Sequence, residues 1–439
     1  RQVVEAVQMS KAGLLDENMG DTCPQSIIDA LPDYTADEIR EAYDELYELK
    51  KAGQLFAQDD YIDVSRYIPV NAPVKALCLH VAHDCNLRCK YCFASTGDFG
   101  QGRKIMPPEI AKKAIDFVIA RSGVRHNIEV DFFGGEPLMA WDTVTQTVDY
   151  ARSLEKKYNK KFRFTITTNG LLLDEDKRKY INENMDNCVL SLDGRREVND
   201  EFRKTVAGTG SYDTIVPKFK ALVDERDPNL DYYARGTFTS HNLDFAEDVL
   251  SIADAGFDRL SVEPVTADPG CGYDLTEDDL PKIEAEYDRL TDIMLERKKE
   301  GKPFTFFHFM VDLDQGPCVV KRLRGCGAGY EYVAVTPDGD IYPCHQFVGK
   351  DEFKQGSVLD QSFNMDIAQK FAGMNIYSRP KCQKSWAKFY CSGGCSAANY
   401  NMNHDMNDSY ALGCEMERKR LECAIYLKAM DKICANQSK

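Results

Sequence analysis

Strand-like and helix-like segments alternate six times between Val74 and Lys299, and this alternation constrains the fold more than any other feature of the sequence. The strand-like segments are residues 74–81, 127–133, 161–168, 187–193, 232–239 and 258–265. Helical stretches fill the gaps, and one opens with Pro107 and Pro108, which suit the first turn of a helix. Repeated βα units predict an α/β fold with a parallel sheet. Six units indicate a partial (β/α)6 barrel, with its chemistry at the carboxyl ends of the strands.

The first 70 residues form a separate predicted unit. Thr35 and Glu38 have the spacing of a capping box, apolar residues follow at helical spacing, and Gly53 ends the pattern. A shorter helix is expected over residues 25–31, and a hairpin is expected over residues 55–64. Helices followed by a hairpin indicate a winged helix.

The long helix of this unit is acidic, and the chain as a whole has a formal net charge of -16. Winged helices often bind DNA, but these carboxylates would repel phosphates. A nucleic-acid partner is therefore not expected, and we expect the unit to bind a peptide. The alternative is a packing domain with a solvated acidic face. The acidic residues are Asp37, Glu38, Glu41, Asp44, Glu45 and Glu48.

Cysteine usage indicates a reducing compartment. The chain has 16 cysteines in 439 residues, whereas a disulfide scaffold needs roughly 8–10% Cys in a short secreted chain. Metal or redox chemistry is therefore favoured. No apolar run reaches the ~18 residues of a membrane span, and the first segment lacks the apolar core of a signal peptide. We expect a cytoplasmic protein with no membrane partner.

Three cysteines follow the first predicted strand in the stretch HDCNLRCKYCFAS: Cys85, Cys89 and Cys92, in C-x3-C-x2-C spacing. A structural zinc site needs four closed ligands, and disulfides need pairs. A 4Fe–4S cluster has four corners and is held by Cys thiolates. Three thiolates therefore leave one iron open for a substrate or cosubstrate.

With the aromatic Tyr91 before its last cysteine, this motif resembles that of the radical S-adenosylmethionine (SAM) enzymes. The resemblance implies that the open iron chelates the methionine moiety of SAM. One electron from the cluster then splits SAM and yields a 5'-deoxyadenosyl radical. A lone zinc or structural site is the alternative for the three thiols.

Further motifs resemble the SAM contacts of the same family. FFGGEP resembles the GGE element, which implies that Glu136 meets the SAM amino group and that Gly134 and Gly135 let the backbone approach the ligand. TTNG and SLDG end the third and fourth strands and offer polar groups to the ribose and methionyl moieties. The further candidates are Ser191 and Asp193, with Arg203 and Arg235 as partners of the SAM carboxylate or as surface ion pairs.

From about Gly301 the cysteines crowd, and such a segment depends on metal as much as on a core. Their spacing resembles the SPASM domain, which implies two auxiliary clusters and three 4Fe–4S clusters in all. The inner cluster would take Cys318, Cys326, Cys344 and Cys395. The outer cluster would take Cys382, Cys391 and Cys414. The family has a further Cys where this chain has Ser385, and Cys423 and Cys434 are expected to be ordinary thiols.

The N-terminal unit, the barrel and the stretch CQKSWAKFYCSGGCSAANYN together resemble the maturases of cysteine-rich SCIFF peptides. The resemblance implies an enzyme that joins cysteine sulfur to a carbon of an acceptor residue in a precursor peptide. Residues 1–70 would bind the leader by adding a strand to a sheet edge, with the barrel over 71–300 and the SPASM domain over 301–439. An external reductant would supply one electron.

Other outcomes of the same chemistry stay open. They are a sulfatase maturase that forms formylglycine, a peptide maturase that forms C–C bonds, and a non-catalytic iron–sulfur electron carrier. His345 directly follows Cys344, at a position where related sulfatase maturases have an Asp that looks like a general base. Imidazole, with an unperturbed pKa of ~6.5, could accept the proton of the substrate thiol. Alternatively, His345 hydrogen-bonds a cluster sulfur and tunes the cluster.

Overall fold

The structure is a computed structural model that describes residues 15–57, 59, 61–66, 72–312 and 319–437. The described residues form two compact units. The first comprises the residues up to 66 and the end of the last helix from residue 428, and the second comprises residues 72–427. The domain boundary predicted near residue 300 falls inside the second unit. Within the described ranges, no helix combines the length and the apolar character needed to cross a membrane.

The small unit contains the helices Gln25–Ala30, Ala36–Lys51 and Tyr61–Arg66. The predicted capping box is confirmed: the Thr35 N–H donates to Glu38 Oε2 at 2.9 Å, and the Glu38 N–H donates to Thr35 Oγ1 at 3.3 Å. These bonds satisfy backbone donors that the first turn of a helix leaves unpaired. A small apolar core holds the first two of these helices together, and it includes Ile27, Ile39 and Tyr43.

The predicted hairpin over residues 55–64 is wrong. Tyr61–Arg66 form a short helix, and the described part of this unit contains no strand. Aspartate favours helix N-termini as well as turns, so Asp59 and Asp60 gave the same sequence signal for either structure. Without this hairpin, the described residues of this unit lack the β-hairpin wing that a winged helix requires. Peptide binding by strand addition, as predicted, has no sheet edge among the described residues of this unit.

The six predicted strands of the barrel are confirmed, and a short seventh parallel strand follows them. The strands are β1 (Ala76–His83), β2 (Lys104–Ile105), β3 (Asn127–Gly134), β4 (Lys161–Thr168), β5 (Asn187–Ser191), β6 (Asp231–Phe238), β7 (Arg259–Pro264) and β8 (Thr305–Phe306). Strands β1, β3, β4, β5, β6, β7 and β8 pair in that order, all parallel, while β2 pairs antiparallel to β1. This is the partial barrel that the alternation predicted.

Helices cover the outer face of the barrel. They are Pro108–Arg121, Trp141–Tyr158, Glu175–Asn184, Tyr212–Asp224, Phe245–Asp254 and Leu280–Lys299. The short helix Arg196–Phe202 lies beside the loop after β1, where the Lys90 N–H donates to the Phe202 carbonyl at 3.1 Å. Successive side chains of a strand point to opposite faces. Accordingly, Leu77, Leu79 and Val81 of β1 belong to the main core with the helices, whereas Cys78 belongs to a second core on the other face.

The cysteine-rich segment extends the same sheet. Its strands are β9 (Tyr332–Val335), β10 (Asp340–Tyr342), β11 (Gly356–Ser357) and β12 (Ser362–Phe363). Strand β9 pairs parallel with β1, on the side opposite β3. The segment also contains the helices Val319–Arg324, Met365–Gly373, Pro380–Gln383, Lys388–Cys391, Ser396–Asn403 and Ala411–Gln437. The pairing of β9 with β1 brings the later cysteines to the strand that precedes the three-cysteine motif.

Candidate active site

The three cysteines of the motif lie on the loop that follows β1. The Leu87 N–H donates to Cys85 Sγ at 3.4 Å, and the Cys92 N–H donates to the Cys89 carbonyl at 3.2 Å. Burial raises the pKa of Cys85 to about 12 and that of Cys89 to about 11, and electrostatic interaction between the thiols adds to both effects. The three thiols are half-buried and close enough to interact, so thiolates are disfavoured there unless positive charge joins them. The irons of a cluster supply such charge, so the donor set fits a three-thiolate cluster.

The glycine pair after β3 fits tightly against this loop. The Gly135 N–H donates to the Ala82 carbonyl at 2.7 Å, and the Glu136 N–H donates to the Asp84 carbonyl at 2.9 Å. A Cβ at Gly134 would lie 2.2 Å from the Ala82 oxygen, and one at Gly135 would lie 2.1 Å from the Asp84 oxygen. The glycines were predicted to let the backbone approach a ligand. The structure shows that they let β3 approach the cysteine loop itself.

We expect Gly135→Ala to remove most of the iron bound by the three-cysteine loop. The new Cβ would meet backbone atoms of Asp84, the residue before Cys85, and overpacking typically costs about 1–3 kcal/mol. The matched control is Gly373→Ala, because a Cβ there meets nothing within 4 Å. Iron content after anaerobic reconstitution, with thermal unfolding of both variants, checks the prediction. Equal iron in the two variants would contradict it.

Glu136 is 1% exposed, and its carboxylate is held by three donors. Its Oε1 accepts from Thr168 Oγ1 at 2.7 Å and from the Leu138 N–H at 3.0 Å, while Oε2 accepts from the Asn169 N–H at 2.7 Å. Burial raises the pKa of Glu136, and these hydrogen bonds act in the opposite direction. The carboxylate thus ties the end of β3 to the end of β4. Its contact with the SAM amino group stays a prediction.

Three predicted site residues, Tyr91, Asp193 and Arg203, contact one another beside the three-cysteine loop. Tyr91 Oη donates to Asp193 Oδ2 at 2.5 Å, and Arg203 Nη1 donates to Tyr91 Oη at 3.0 Å. Arg203 is 7% exposed, and its Nε has no hydrogen-bond partner among the described residues. Burial opposes its charge, but Tyr91, Cys89 and Asp193 hold its pKa above the usual range. Arg203 is therefore a buried cation beside Cys89 whose Nε–H is unpaired, which suits its predicted contact with the SAM carboxylate.

Arg235 and Ser191 occupy different surroundings. Arg235 Nε donates to Glu263 Oε1 at 3.0 Å, and its side chain is 45% exposed. This is the ion pair that was the alternative to a SAM contact. Ser191, half-buried, is the last residue of β5 and the register partner of Arg235. The SAM contacts of both residues stay predictions.

The later cysteines interact electrostatically in two sets, and their assignment to an inner and an outer cluster stays a prediction. Cys344 interacts electrostatically with Cys395 and Cys326, and burial raises the pKa of Cys344. Separately, burial raises the pKa of Cys391 to about 12, with contributions from Cys414 and Cys382. Cys318 lies outside the described residues. Cys423 is buried in the main core, and Cys434 is exposed on the last helix.

The outer group surrounds a cavity of about 280 Å³. Its lining includes Cys382, Cys391 and Cys414 together with Ser385. Among the described residues, no three His, Cys, Asp or Glu side chains converge closely enough to hold a single metal ion. A 4Fe–4S cluster differs, because each thiolate binds its own iron and the cluster needs space between them. The cavity and its thiols fit that requirement.

His345 of the cysteine-rich segment packs against the three-cysteine loop and β3. Its ring centroid is 5.4 Å from that of Phe93, which follows Cys92, and 5.0 Å from that of Phe133 on β3. Its Nδ1 is 3.4 Å from Tyr332 Oη. Burial lowers the pKa of His345 to about 4, so the imidazole is neutral near pH 7 and a weak base. Its role as a proton acceptor stays a prediction.

Sequence reasoning missed two features of the site. Asn169 Nδ2 lies 3.6 Å from Cys85 Sγ and donates to Asn86 Oδ1 at 2.7 Å, although the motif TTNG that contains it was recognised. His80 Nδ1 lies 3.1 Å from His83 Nε2, and both rings contact Phe99. Residues three apart on a regular strand point to opposite faces, but β1 carries an irregularity between His80 and Ala82. No sequence pattern announced that irregularity.

Comparison with known families agrees with this geometry. Residues 79–233 match the model of the radical SAM superfamily, and residues 326–392 match the SPASM domain, an iron–sulfur cluster-binding domain. A cysteine-type anaerobic sulfatase-maturating enzyme of Clostridium novyi is 26% identical over 338 residues, which cover 71% of this chain and 85% of the relative. The radical SAM cyclopropyl synthase TigE of Paramaledivibacter caminithermalis is 24% identical, covering 75% of this chain and 70% of the relative.

Solved structures with the same fold include anSMEcpe with bound AdoMet, at a TM-score of 0.68 and 21% identity. That match covers 84% of this chain and 100% of the other. Streptococcus suis SuiB bound to its precursor peptide SuiA matches with a TM-score of 0.56 and 18% identity, over 93% of this chain and 87% of the other. At these identities the likeness shows the fold alone.

Proposed function

Because the chain joins a radical SAM domain to a C-terminal SPASM domain, we propose that it is a peptide maturase that forms thioether bonds in a cysteine-rich precursor. The position of the inner set of cysteines supports this proposal. Cys326, Cys344 and Cys395 belong to a segment paired with β1, and His345 of that segment contacts Phe93 beside Cys92. A substrate at the carboxyl ends of the strands would therefore lie close to both cysteine sets.

The two domains indicate iron–sulfur clusters and SAM as cofactors, and we propose three clusters. Cleavage of SAM at the three-thiolate cluster would supply the 5'-deoxyadenosyl radical that takes hydrogen from the acceptor carbon. The C–S bond then forms with loss of the thiol proton and one electron, so one electron enters with SAM cleavage and one leaves. Arg203, with Nε free, would orient the SAM carboxylate, and Tyr91 and Asp193 hold Arg203 in place.

The test is mass spectrometry of the cysteine-rich peptide encoded beside the gene, after anaerobic reaction with SAM and a one-electron reductant. A thioether removes a pair of hydrogen atoms and makes one cysteine resistant to alkylation. The similarity to sulfatase maturases supports formylglycine formation as a second candidate, in which the modified cysteine loses its sulfur. A C–C bond would remove hydrogens yet leave every thiol open to alkylation. An unmodified peptide without 5'-deoxyadenosine would leave only electron transfer.

We also propose that the small N-terminal unit binds the leader of the precursor, in a cytoplasm that keeps thiols reduced. Its helix Ala36–Lys51 is acidic, and the unit exposes Leu49 by 37% and Phe56 by 42%. Together these favour a basic, partly apolar peptide over a nucleic acid.

Leu49→Asp combined with Phe56→Asp should weaken peptide binding at least several-fold, since both changes remove exposed apolar contact area from this unit. Fluorescence anisotropy of a labelled leader measures the affinity. The matched control is Val124→Asp, a fully exposed apolar residue of the barrel unit. Equal affinities in both variants would reject the leader-binding role of this surface.

The outer cavity is proposed to hold a cluster on three thiolates, with Ser385 at the fourth corner. Serine is a rare iron ligand, so the iron facing Ser385 should differ from the other three. We expect Ser385→Cys to make the four irons of this cluster equivalent by Mössbauer spectroscopy, because a fourth thiolate completes the Cys set. Ser392→Cys, on the turn after Cys391, is the control. An unchanged spectrum in Ser385→Cys would contradict the assignment.

A further inference from the structure

Arg379 lies close to cysteines of both the inner and the outer set in the cysteine-rich segment. It is 3% exposed and directly precedes the helix Pro380–Gln383. Burial, the largest effect, lowers the pKa of Arg379, while four thiols of both groups raise it. Those thiols are Cys382, Cys391, Cys395 and Cys326. A single guanidinium therefore interacts electrostatically with members of the inner and the outer group.

The hydrogen bonds of Arg379 leave its charge uncompensated. Nη1 donates to the Gly393 carbonyl, and Nη2 donates to Ser396 Oγ at 2.9 Å. Its Nε is buried without a hydrogen-bond partner, and among the described residues the groups that act on its charge are thiols rather than carboxylates. A buried cation that has only neutral partners is costly, and it is stable only where negative charge develops nearby.

The backbone at Gly393 packs closely against the guanidinium of Arg379. Gly393 has φ +87°, and a Cβ there would lie 2.4 Å from Arg379 Nη1. Gly393 belongs to the CSGGC turn that links Cys391 of the outer group to Cys395 of the inner group. The turn between the two groups is thus closed around the guanidinium, which fixes its position relative to both.

We propose that Arg379 is the shared positive counter-charge of the two auxiliary clusters and raises their reduction potentials. The inference rests on the proposed clusters. A 4Fe–4S cluster held by thiolates is anionic, and it becomes more so on reduction, so a nearby cation favours the reduced state. Net charge and hydrogen bonds are the means by which proteins set such potentials. Burial weakens screening, so one guanidinium acts on both clusters. It would thereby help them accept the electron released when the C–S bond forms.

The test is an EPR-monitored redox titration of the full chain in a Cys85→Ala, Cys89→Ala, Cys92→Ala background, where the remaining signals belong to the auxiliary clusters. Arg379→Gln removes the charge, and Arg379→Lys keeps it. Arg226→Gln is the matched control, because Arg226 is 7% exposed and its Nη groups bond to Asn182 Oδ1 and the Met185 carbonyl. The thiol that its charge affects is that of Cys188 in the barrel core, which belongs to neither auxiliary set. Iron and sulfide content are measured for every variant.

We expect Arg379→Gln to lower the midpoint potentials of both clusters, with Arg379→Lys and Arg226→Gln close to the parent. If Arg379→Gln loses iron and Arg379→Lys does not, the result would also support the proposal. Both variants change the shape of the side chain, but only Arg379→Gln removes its positive charge. Unchanged potentials with full iron in Arg379→Gln would overturn it. So would equal shifts or equal iron loss in both Arg379 variants, because the role would then be one of shape. If the protein with an intact Arg379 binds no auxiliary iron, the proposed clusters themselves are overturned. That result is distinct from unchanged potentials in Arg379→Gln, which would overturn only the role of Arg379.

Discussion

Replacing Cys85, Cys89 and Cys92 together by Ala abolishes SAM cleavage if these thiolates hold the cluster that binds SAM. The change removes every protein ligand of that cluster, so neither the cluster nor its open iron can persist. The expected result is the loss of 5'-deoxyadenosine to background in an anaerobic assay with reductant. Peptide binding should survive, because the small N-terminal unit has its own core.

The matched control is Cys271→Ala, since Cys271 is exposed and belongs to neither cysteine set. It should cleave SAM at the rate of the unmodified chain. Cleavage that persists in the triple variant would show that the radical chemistry does not depend on this loop. Full loss in both variants would show that the effect reports general damage.

Removing the inner auxiliary thiols should have an equally large effect on a different step. Cys344→Ala combined with Cys395→Ala removes two proposed ligands of the inner cluster, while the three-cysteine loop keeps its own contacts. We expect thioether product to fall to background while some 5'-deoxyadenosine still forms, uncoupled from product. The two outcomes are measured in one reaction, by chromatography of the nucleoside and mass spectrometry of the peptide.

Cys423→Ala is the control for this prediction. That thiol is buried in the main core and lies 3.8 Å from Asp288 Oδ1, away from both auxiliary groups. Its loss should leave the ratio of product to 5'-deoxyadenosine unchanged. Unmodified yields of thioether from the double variant would show that the inner group has no part in coupling.

Local periodicity was enough to find the barrel, because each of its six strands is a long apolar or alternating run followed by a helix. It was not enough to find β8 or β9. Thr305–Phe306 is too short to show any period, and Tyr332–Val335 pairs with a strand about 250 residues earlier in the chain. The hairpin over residues 55–64 failed for a related reason, since Asp residues signal turns and helix starts alike.

Site residues were predictable where chemistry fixes the spacing along the chain. Cys85, Cys89 and Cys92 lie on one short loop, so their spacing carried the information. Arg379 could not be found in this way. Its importance comes from the approach of cysteines on both sides of a folded turn, which in the described part of the chain act on its charge in place of carboxylates. Such properties depend on tertiary packing, which residue spacing does not encode.

Transfer of deuterium from the peptide to 5'-deoxyadenosine tests whether the chain is a radical SAM peptide maturase. The precursor peptide is deuterated on its α-carbons and side-chain carbons and reacted anaerobically with the chain, unlabelled SAM and a reductant. If the chain is a radical SAM peptide maturase, 5'-deoxyadenosine gains deuterium from the peptide in proportion to the thioether that forms. If 5'-deoxyadenosine contains no deuterium and the peptide keeps its mass, the chain does not act on this peptide by radical abstraction, and the account is contradicted.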